Sequence, residues 1–306
     1  MKKIIFILAI SLTSLITWGQ QELMISQYMF NGLVLNPAYA GTHPYWSSTI
    51  LHRSQWVKFD KAPRTQTACI DGNILDGKLG LGFNLSNDRL GLTNSFDFGA
   101  NVAKKVMIGP GFLSAGLRIG ASRYSANLTD AVIWDENDPV YANNLKGKIV
   151  PRLGAGLYYY TANWFAGLSI PSILAVDESV SNYSTGINSF YRQHLYLNGG
   201  LVIQAAPSVA IKPSVLVKYQ GNAPLQVDLN CNVLFLQKFW AGAGYRTGDA
   251  LIAMLEWNIN KQLRVGYAFD YTLSAIQTYA NNSHEIMLGY DFGKGTDLKV
   301  RSPRYF

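Results

Sequence analysis

Leu263–Tyr271 reads LRVGYAFDY: Leu263, Val265, Tyr267, Phe269 and Tyr271 alternate with Arg264, Gly266, Ala268 and Asp270. Successive side chains of a strand point to opposite faces, so one face of this stretch is apolar and aromatic while the other is small or charged. Any half-buried antiparallel strand can look like this. The pattern decides the fold because it recurs. Leu225, Val227, Leu229, Cys231, Val233 and Phe235 alternate with Gln226, Asp228, Asn230 and Asn232, and Leu79, Leu81, Phe83 and Leu85 alternate with Gly80, Gly82, Asn84 and Ser86. Turn residues separate the copies, and a helical period is almost absent.

The alternation predicts fourteen strands: 46–58, 64–75, 79–87, 94–105, 111–124, 150–160, 163–170, 191–205, 209–219, 224–236, 239–246, 249–258, 262–271 and 284–293. Their lengths cluster near the 9–11 residues that a tilted strand needs to cross a bilayer. With the mature N-terminus in the periplasm, the even-numbered connections are short turns. The long ones, 125–149, 171–190 and 272–283, are all odd-numbered. Transmembrane β-barrels sort their connections this way, whereas a soluble sandwich has no reason to. An even strand number also lets the sheet close without a free edge. The expected fold is therefore all-β: a transmembrane antiparallel β-barrel of about fourteen strands, with an N-terminal periplasmic segment.

Composition agrees. Of the 306 residues, 15% are charged, against about 25% in an average soluble domain, while 13% are aromatic and 28 are Gly. The net charge of +7 is spread one residue per strand or turn rather than in runs, which argues against nucleic acid as a partner. Lys2 and Lys3, the apolar run Ile4–Ile16 and the small residues Thr17 and Gly19 read as a signal peptide over 1–19. The expected divisions are then a segment at 20–45, periplasmic or plugging the lumen, a barrel at 46–293 and a periplasmic tail at 294–306. Cys69 lies among polar positions of its strand and Cys231 among apolar ones, so the two face opposite sides of the sheet and cannot pair.

Aromatic residues at strand ends read as interfacial girdles: Tyr159 and Trp164 at one periplasmic turn, Phe239 and Trp240 at the next, and Tyr267, Phe269 and Tyr271 toward the outer side. Glycines spaced as in strands, Gly80/Gly82, Gly154/Gly156 and Gly242/Gly244, read as close-packed barrel positions. The lumen face carries both signs of charge: Asp97, Arg118, Arg152, Lys212, Lys218, Asp228, Glu256, Arg264, Asp270 and Asp291. A selective pore favours one sign, so these groups are expected to pair and fill the barrel, with the lumen closed by side chains, by the 20–45 segment or by a folded loop. A charge at Leu229 would face lipid; one at Asn230 would face the lumen and be milder. No GxSxG, HExxH, CxxC or P-loop occurs, and the four histidines, His43, His52, His194 and His284, are isolated in sequence. A lipase-like meeting of Ser, Asn and His from distant strands is a remote alternative. No cofactor or metal is expected. The acidic residues Asp135, Glu136, Asp138, Asp177 and Glu178, with Trp134, fall in the long outer loops.

Three stretches carry a family resemblance: SQYMFNGLVLNPAYAG (Ser26–Gly41), RSQWVKFDKAPRTQ (Arg53–Gln66) and the ending RSPRYF (Arg301–Phe306). Together they resemble the PorP/SprF family of Bacteroidetes outer-membrane proteins, linked to type IX secretion and gliding. Lys61 stands where FDGAP-like versions carry Gly. The resemblance implies a non-enzymatic outer-membrane barrel working with type IX secretion components. It would dock or anchor a large surface protein bearing a C-terminal secretion domain, in some cases with a periplasmic peptidoglycan-binding protein. The motif residues it marks for partner binding are Ser26, Gln27, Tyr28, Phe30, Asn31, Asn36, Pro37, Tyr39, Gly41, Arg53, Gln55 and Trp56, with Arg301, Pro303, Arg304, Tyr305 and Phe306 in the tail. The rival reading is a general diffusion porin or small-solute transporter.

Overall fold

The structure is a computed structural model and describes residues 23–130, 143–145, 147, 149–175, 193–221 and 223–293. The signal-peptide region, the loop residues Trp134, Asp135, Glu136, Asp138, Asp177 and Glu178, and the tail from 294 onward lie outside the described residues.

The strands are β1 (Trp46–Ser54), β2 (Arg64–Ile74), β3 (Leu79–Leu90), β4 (Thr93–Ile108), β5 (Gly111–Ala126), β6 (Ile149–Tyr160) and β7 (Trp164–Ala175). They continue as β8 (His194–Leu201), β9 (Ile203–Ala206), β10 (Val209–Gln220), β11 (Gln226–Phe235), β12 (Phe239–Arg246), β13 (Ala250–Asn258), β14 (Leu263–Thr272) and β15 (Ser283–Phe292). β8 and β9 pair with successive parts of β10 and are two halves of one crossing, interrupted at Val202. All ladders are antiparallel between neighbours in sequence, and β15 returns to β1 from Trp46↔Phe292 to Ser54↔His284. The sheet is thus a closed ring of 14 crossings, each of the expected fourteen in its place. Closure is what hydrocarbon demands, because an unpaired edge has no water to bond to there.

Burial is inverted relative to a soluble domain, in which large apolar groups turn inward. On β13, Leu251, Leu255 and Trp257 are exposed on the outer surface, while Ala250, Ile252, Met254 and Glu256 are buried in the lumen. The opening stretch behaves alike: Tyr267 and Tyr271 face outward, and Gly266, Ala268 and Asp270 inward. Cys69 is buried and Cys231 exposed, both free. At the short-turn end, the rings of Tyr159 and Trp164 sit 5.0 Å apart, and the Phe239 ring stacks on that of Trp257 at 6.0 Å. Trp240 corrects the girdle assignment. It follows Phe239 directly, so the alternation turns it into the lumen, where it is buried and packs edge-on against Phe30 at 5.9 Å.

The connections sort by side. Residues 75–78, 109–110, 161–163, 207–208, 236–238 and 259–262 make tight turns at the end where β1 begins; the opposite end carries 55–63, 273–282, the short links 91–92 and 247–249, and the strand ends from which the 127–148 and 176–193 connections leave. In the 55–63 loop, Lys61 adopts φ 53°. This left-handed conformation suits Gly; a lysine held there carries a local strain of about 1 kcal/mol.

Substitution of Leu229, half-exposed on the outer surface of β11, by Arg should cost about 2–4 kcal/mol if it lies at the bilayer midplane. The same change at Leu236, in the 236–238 turn at the interface, should cost about 0–1 kcal/mol. Denaturant midpoints in micelles, with heat-modifiable gel migration as the folding check, measure both. Equal costs would mean that this surface does not face lipid.

Candidate functional site

Residues 23–45 form no strand. They fold as three single 3-10 turns, Tyr28–Phe30, Gly32–Val34 and Pro37–Tyr39. The last has a local cause. Asn36 is extended, at φ −139°, and its Oδ1 accepts from the Ala38 N–H at 2.9 Å; Pro37 follows with its φ preset for the turn. Gly32 is required because the Tyr39 ring lies where its side chain would be.

Contacts of this segment reach strands from all round the ring, which places it inside the lumen. Asn36 Nδ2 donates to the Leu157 carbonyl of β6 at 3.0 Å, and the Leu35 carbonyl accepts from Ser169 of β7 at 2.7 Å. Arg118 of β5 donates to the Leu33 carbonyl at 2.6 Å and to Asn101 at 2.8 Å. Lys212 of β10 donates to the Met29 carbonyl at 3.2 Å, and Asn230 of β11 to the Tyr28 hydroxyl at 2.6 Å. Burial pushes the Tyr28 hydroxyl pKa up, and the Asp228 charge adds to the rise, so the hydroxyl stays neutral. Strand glycines make the room: side chains at Gly80, Gly116 and Gly156 would collide with Ala40, Ala38 and Asn36 respectively. Gly242 and Gly244 instead accommodate the side chains of Asn232 and Asn230. Asn230 thus faces the lumen as the alternation expects, but against the segment rather than open space. It is 5% exposed and committed to Tyr28.

The strongest grip is on Ser26. The backbone N–H groups of Ser26 and Gln27 donate to the two carboxylate oxygens of Glu285, at 2.9 and 2.8 Å. The Ser26 hydroxyl donates to Asp270 at 2.7 Å and accepts from Arg53 and Arg246, each at 3.0 Å. Arg53 bridges Asp270 at 2.7 Å and Glu285 at 3.3 Å; Arg246 bridges Asp228 at 3.3 Å and Asp270 and Asp249 at 3.1 Å. Lys218 joins at Asp228, 3.0 Å away. Arg53, Arg246, Asp228 and Glu285 are at most 1% exposed. Buried charges persist only when paired and hydrogen-bonded, and here each opposite sign is within bonding distance. A second grip lies at the far end of the segment. Gly41 donates its N–H to Asp71 at 2.8 Å, and its carbonyl accepts from Lys105, which also bonds Asn73. Arg264–Asp291 at 2.9 Å and Arg152–Asp97 at 2.5 Å are further ion pairs among the lumen charges named from sequence, while Arg118 and Lys212 bond carbonyls of the segment.

Of the motif residues, Ser26, Gln27, Tyr28, Asn31, Asn36, Pro37, Tyr39 and Gly41 are buried in the lumen, and Phe30 is half-buried against Trp240. Arg53 points inward from β1 to the Ser26 cluster. Gln55 and Trp56 lie in the 55–63 loop, where Gln55 Nε2 approaches Met24 Sδ at 3.7 Å and the Trp56 N–H donates to Ser283 at 3.2 Å. Arg301, Pro303, Arg304, Tyr305 and Phe306 lie outside the described residues. The sequence reading missed Glu285, Arg246, Asp71 and Lys105. Extending the alternation of β15 inward from Asp291 in steps of two would have reached Glu285. A recess of about 710 Å³, counting its open mouth, remains beside the segment, bordered by Leu23, Val34, Asp88, Asp97 and Arg152. Among the described residues, no group of His, Cys, Asp and Glu is placed to hold a metal ion.

Glu285→Gln removes the charge that holds two backbone N–H groups and part of Arg53. A loss on the order of 3 kcal/mol is expected from opening a buried pair, read as a lower denaturation midpoint and faster proteolysis within 23–41. An unchanged midpoint would show that Glu285 does not secure the segment.

Two solved structures resemble the barrel at low identity. Acinetobacter baumannii Omp33 is 10% identical with a TM-score of 0.48, covering 81% of this chain and 99% of that one. The Ralstonia pickettii toluene transporter TbuX is 10% identical with a TM-score of 0.47, covering 90% and 95%. No curated protein matches the chain. The family model for the type IX secretion system membrane protein PorP/SprF matches residues 17–290, nearly the whole length. The chain belongs to the PorP/SprF family, and it is an outer-membrane β-barrel of the type IX secretion system.

Proposed function

We propose that this barrel is a non-enzymatic docking or anchoring component of the secretion and gliding machinery. It would hold exported proteins that carry a C-terminal secretion domain at the cell surface. The observation that carries this reading is the anchored segment. Residues 23–45 occupy the lumen, tied at Ser26 to β1, β12, β14 and β15 near one rim and at Gly41 to β2 and β4 near the other. A diffusion porin needs a continuous water path, and paired charges bonded to a resident segment leave little of one. On this reading the buried motif residues from Ser26 to Gly41 serve partner binding indirectly, by keeping the segment seated. Direct contact falls to Gln55 and Trp56 in the outer loop region, and to Arg301, Pro303, Arg304, Tyr305 and Phe306 on the periplasmic side. A peptidoglycan-binding partner would meet that second face. Residues 1–19 serve as the signal peptide.

Affinity purification from native outer membranes in mild detergent, followed by mass spectrometry, tests the docking role. The expected result is co-recovery of type IX components and a large surface protein with a C-terminal secretion domain; a folded barrel recovered alone would argue against it. Planar-bilayer recording tests the closed lumen. The intact barrel should show no large stable conductance, and deletion of 23–41 should produce one. Large conductance from the intact protein would favour the porin reading.

A further inference from the structure

The direction in which the segment crosses the lumen follows from the strands that hold it. β1 begins at Trp46, at the end of the barrel that carries the 75–78, 109–110, 161–163 and 236–238 turns, and reaches Ser54 at the end that carries 55–63 and 273–282 and where β5 and β7, followed by the other long connections, also end. Tight turns of outer-membrane barrels face the periplasm, and long loops face outward. Every partner of Ser26 stands at the long-loop end. Arg53 is next to the last residue of β1, Arg246 is the last of β12, Asp270 lies near the end of β14, and Glu285 near the start of β15. Met24 and Leu23 lie on the same side, the first against Gln55 of the 55–63 loop and the second on the recess lined by Asp88 and Asp97. The other end of the segment behaves oppositely. Gly41 is held by Asp71 and Lys105, and the His43 carbonyl accepts from Asn73, all from the turn-bearing ends of β2 and β4.

We propose that the segment is threaded from outside to inside, so that Leu23 and Met24 stand at the cell-surface mouth of the barrel. A wholly periplasmic N-terminal segment would need Ser26 to leave the carboxylates and guanidiniums that bury it. The inference is independent of what the barrel docks. It puts Leu23–Ile25 at the cell-surface side, whereas the sequence reading expected the N-terminal segment on the periplasmic side.

Single-cysteine variants labelled on whole cells with a membrane-impermeant maleimide test it. Native Cys69 is buried and Cys231 faces lipid, so the unmodified protein sets the background. Tyr279→Cys, on the 273–282 loop and 78% exposed, is the surface reference. Lys78→Cys, in the 75–78 turn, should label only after the outer membrane is permeabilised. Leu23→Cys is expected to label in intact cells as Tyr279→Cys does. Labelling that waits for permeabilisation, as at Lys78→Cys, or that fails in both conditions, would overturn the threading. If Leu23→Cys does not fold, an epitope inserted between Gln21 and Glu22 and probed with antibody on intact cells gives the same decision: staining supports the proposal, and staining only of permeabilised cells overturns it.

Discussion

The grip of one carboxylate on two adjacent backbone N–H groups, Glu285 on Ser26 and Gln27, is the contact on which the interior depends. Alone it would place a negative charge in a water-poor lumen at a penalty of several kcal/mol. Arg53 offsets it and in turn meets Asp270, which meets Arg246, which meets Asp228 and Lys218. Each charge is tolerated because the next is there, so the array stands or falls as a unit rather than as a sum of pairs. The Ser26 hydroxyl sits at its centre, donating to one carboxylate and accepting from two guanidiniums. A larger apolar side chain at that position would separate the four strands that meet there.

The outside of the barrel obeys a different solvent. Leucines and aromatic rings that would be a liability on a soluble surface are satisfied by lipid, and the backbone is satisfied by ring closure alone. The two solvents explain why charge is scarce overall yet concentrated in the lumen. They also explain why strand glycines recur on the inner face, where a resident segment must approach the wall to within bonding distance.

Most of the barrel was legible because the period of two is strict and the turns are punctuated. Each of the expected crossings is present, and Asp97, Arg152, Asp228, Asp270 and Asp291 face inward as the alternation requires. What failed, failed where neighbours matter. Trp240 was assigned by its position near a turn and not by its parity. Parity placed Asn230 in the lumen, where it is, but parity is blind to Tyr28 on the other side. The 23–45 segment lacks any period, so sequence could mark it through Asn36-Pro37 and the family motif but could not say which strands would hold it or in which direction it would run. Glu285 and Arg246 escaped for a related reason. Their importance comes from Ser26, more than two hundred residues away in sequence.

Arg53 and Glu285 are also direct partners across the β1–β15 ladder, the seam where the two ends of the sheet meet. The residues that complete the circle are thus the same ones that hold Ser26, and this orders events in time. A segment continuous with β1 at one rim and fastened at the opposite rim is difficult to pass through a finished ring. It is most readily laid down first, with the last strand zipping against the first over it. Such pairing between sequence-distant strands is the slow, entropically costly part of folding. Here the segment supplies that late step with a template, a ready set of N–H donors waiting for the carboxylate that β15 brings.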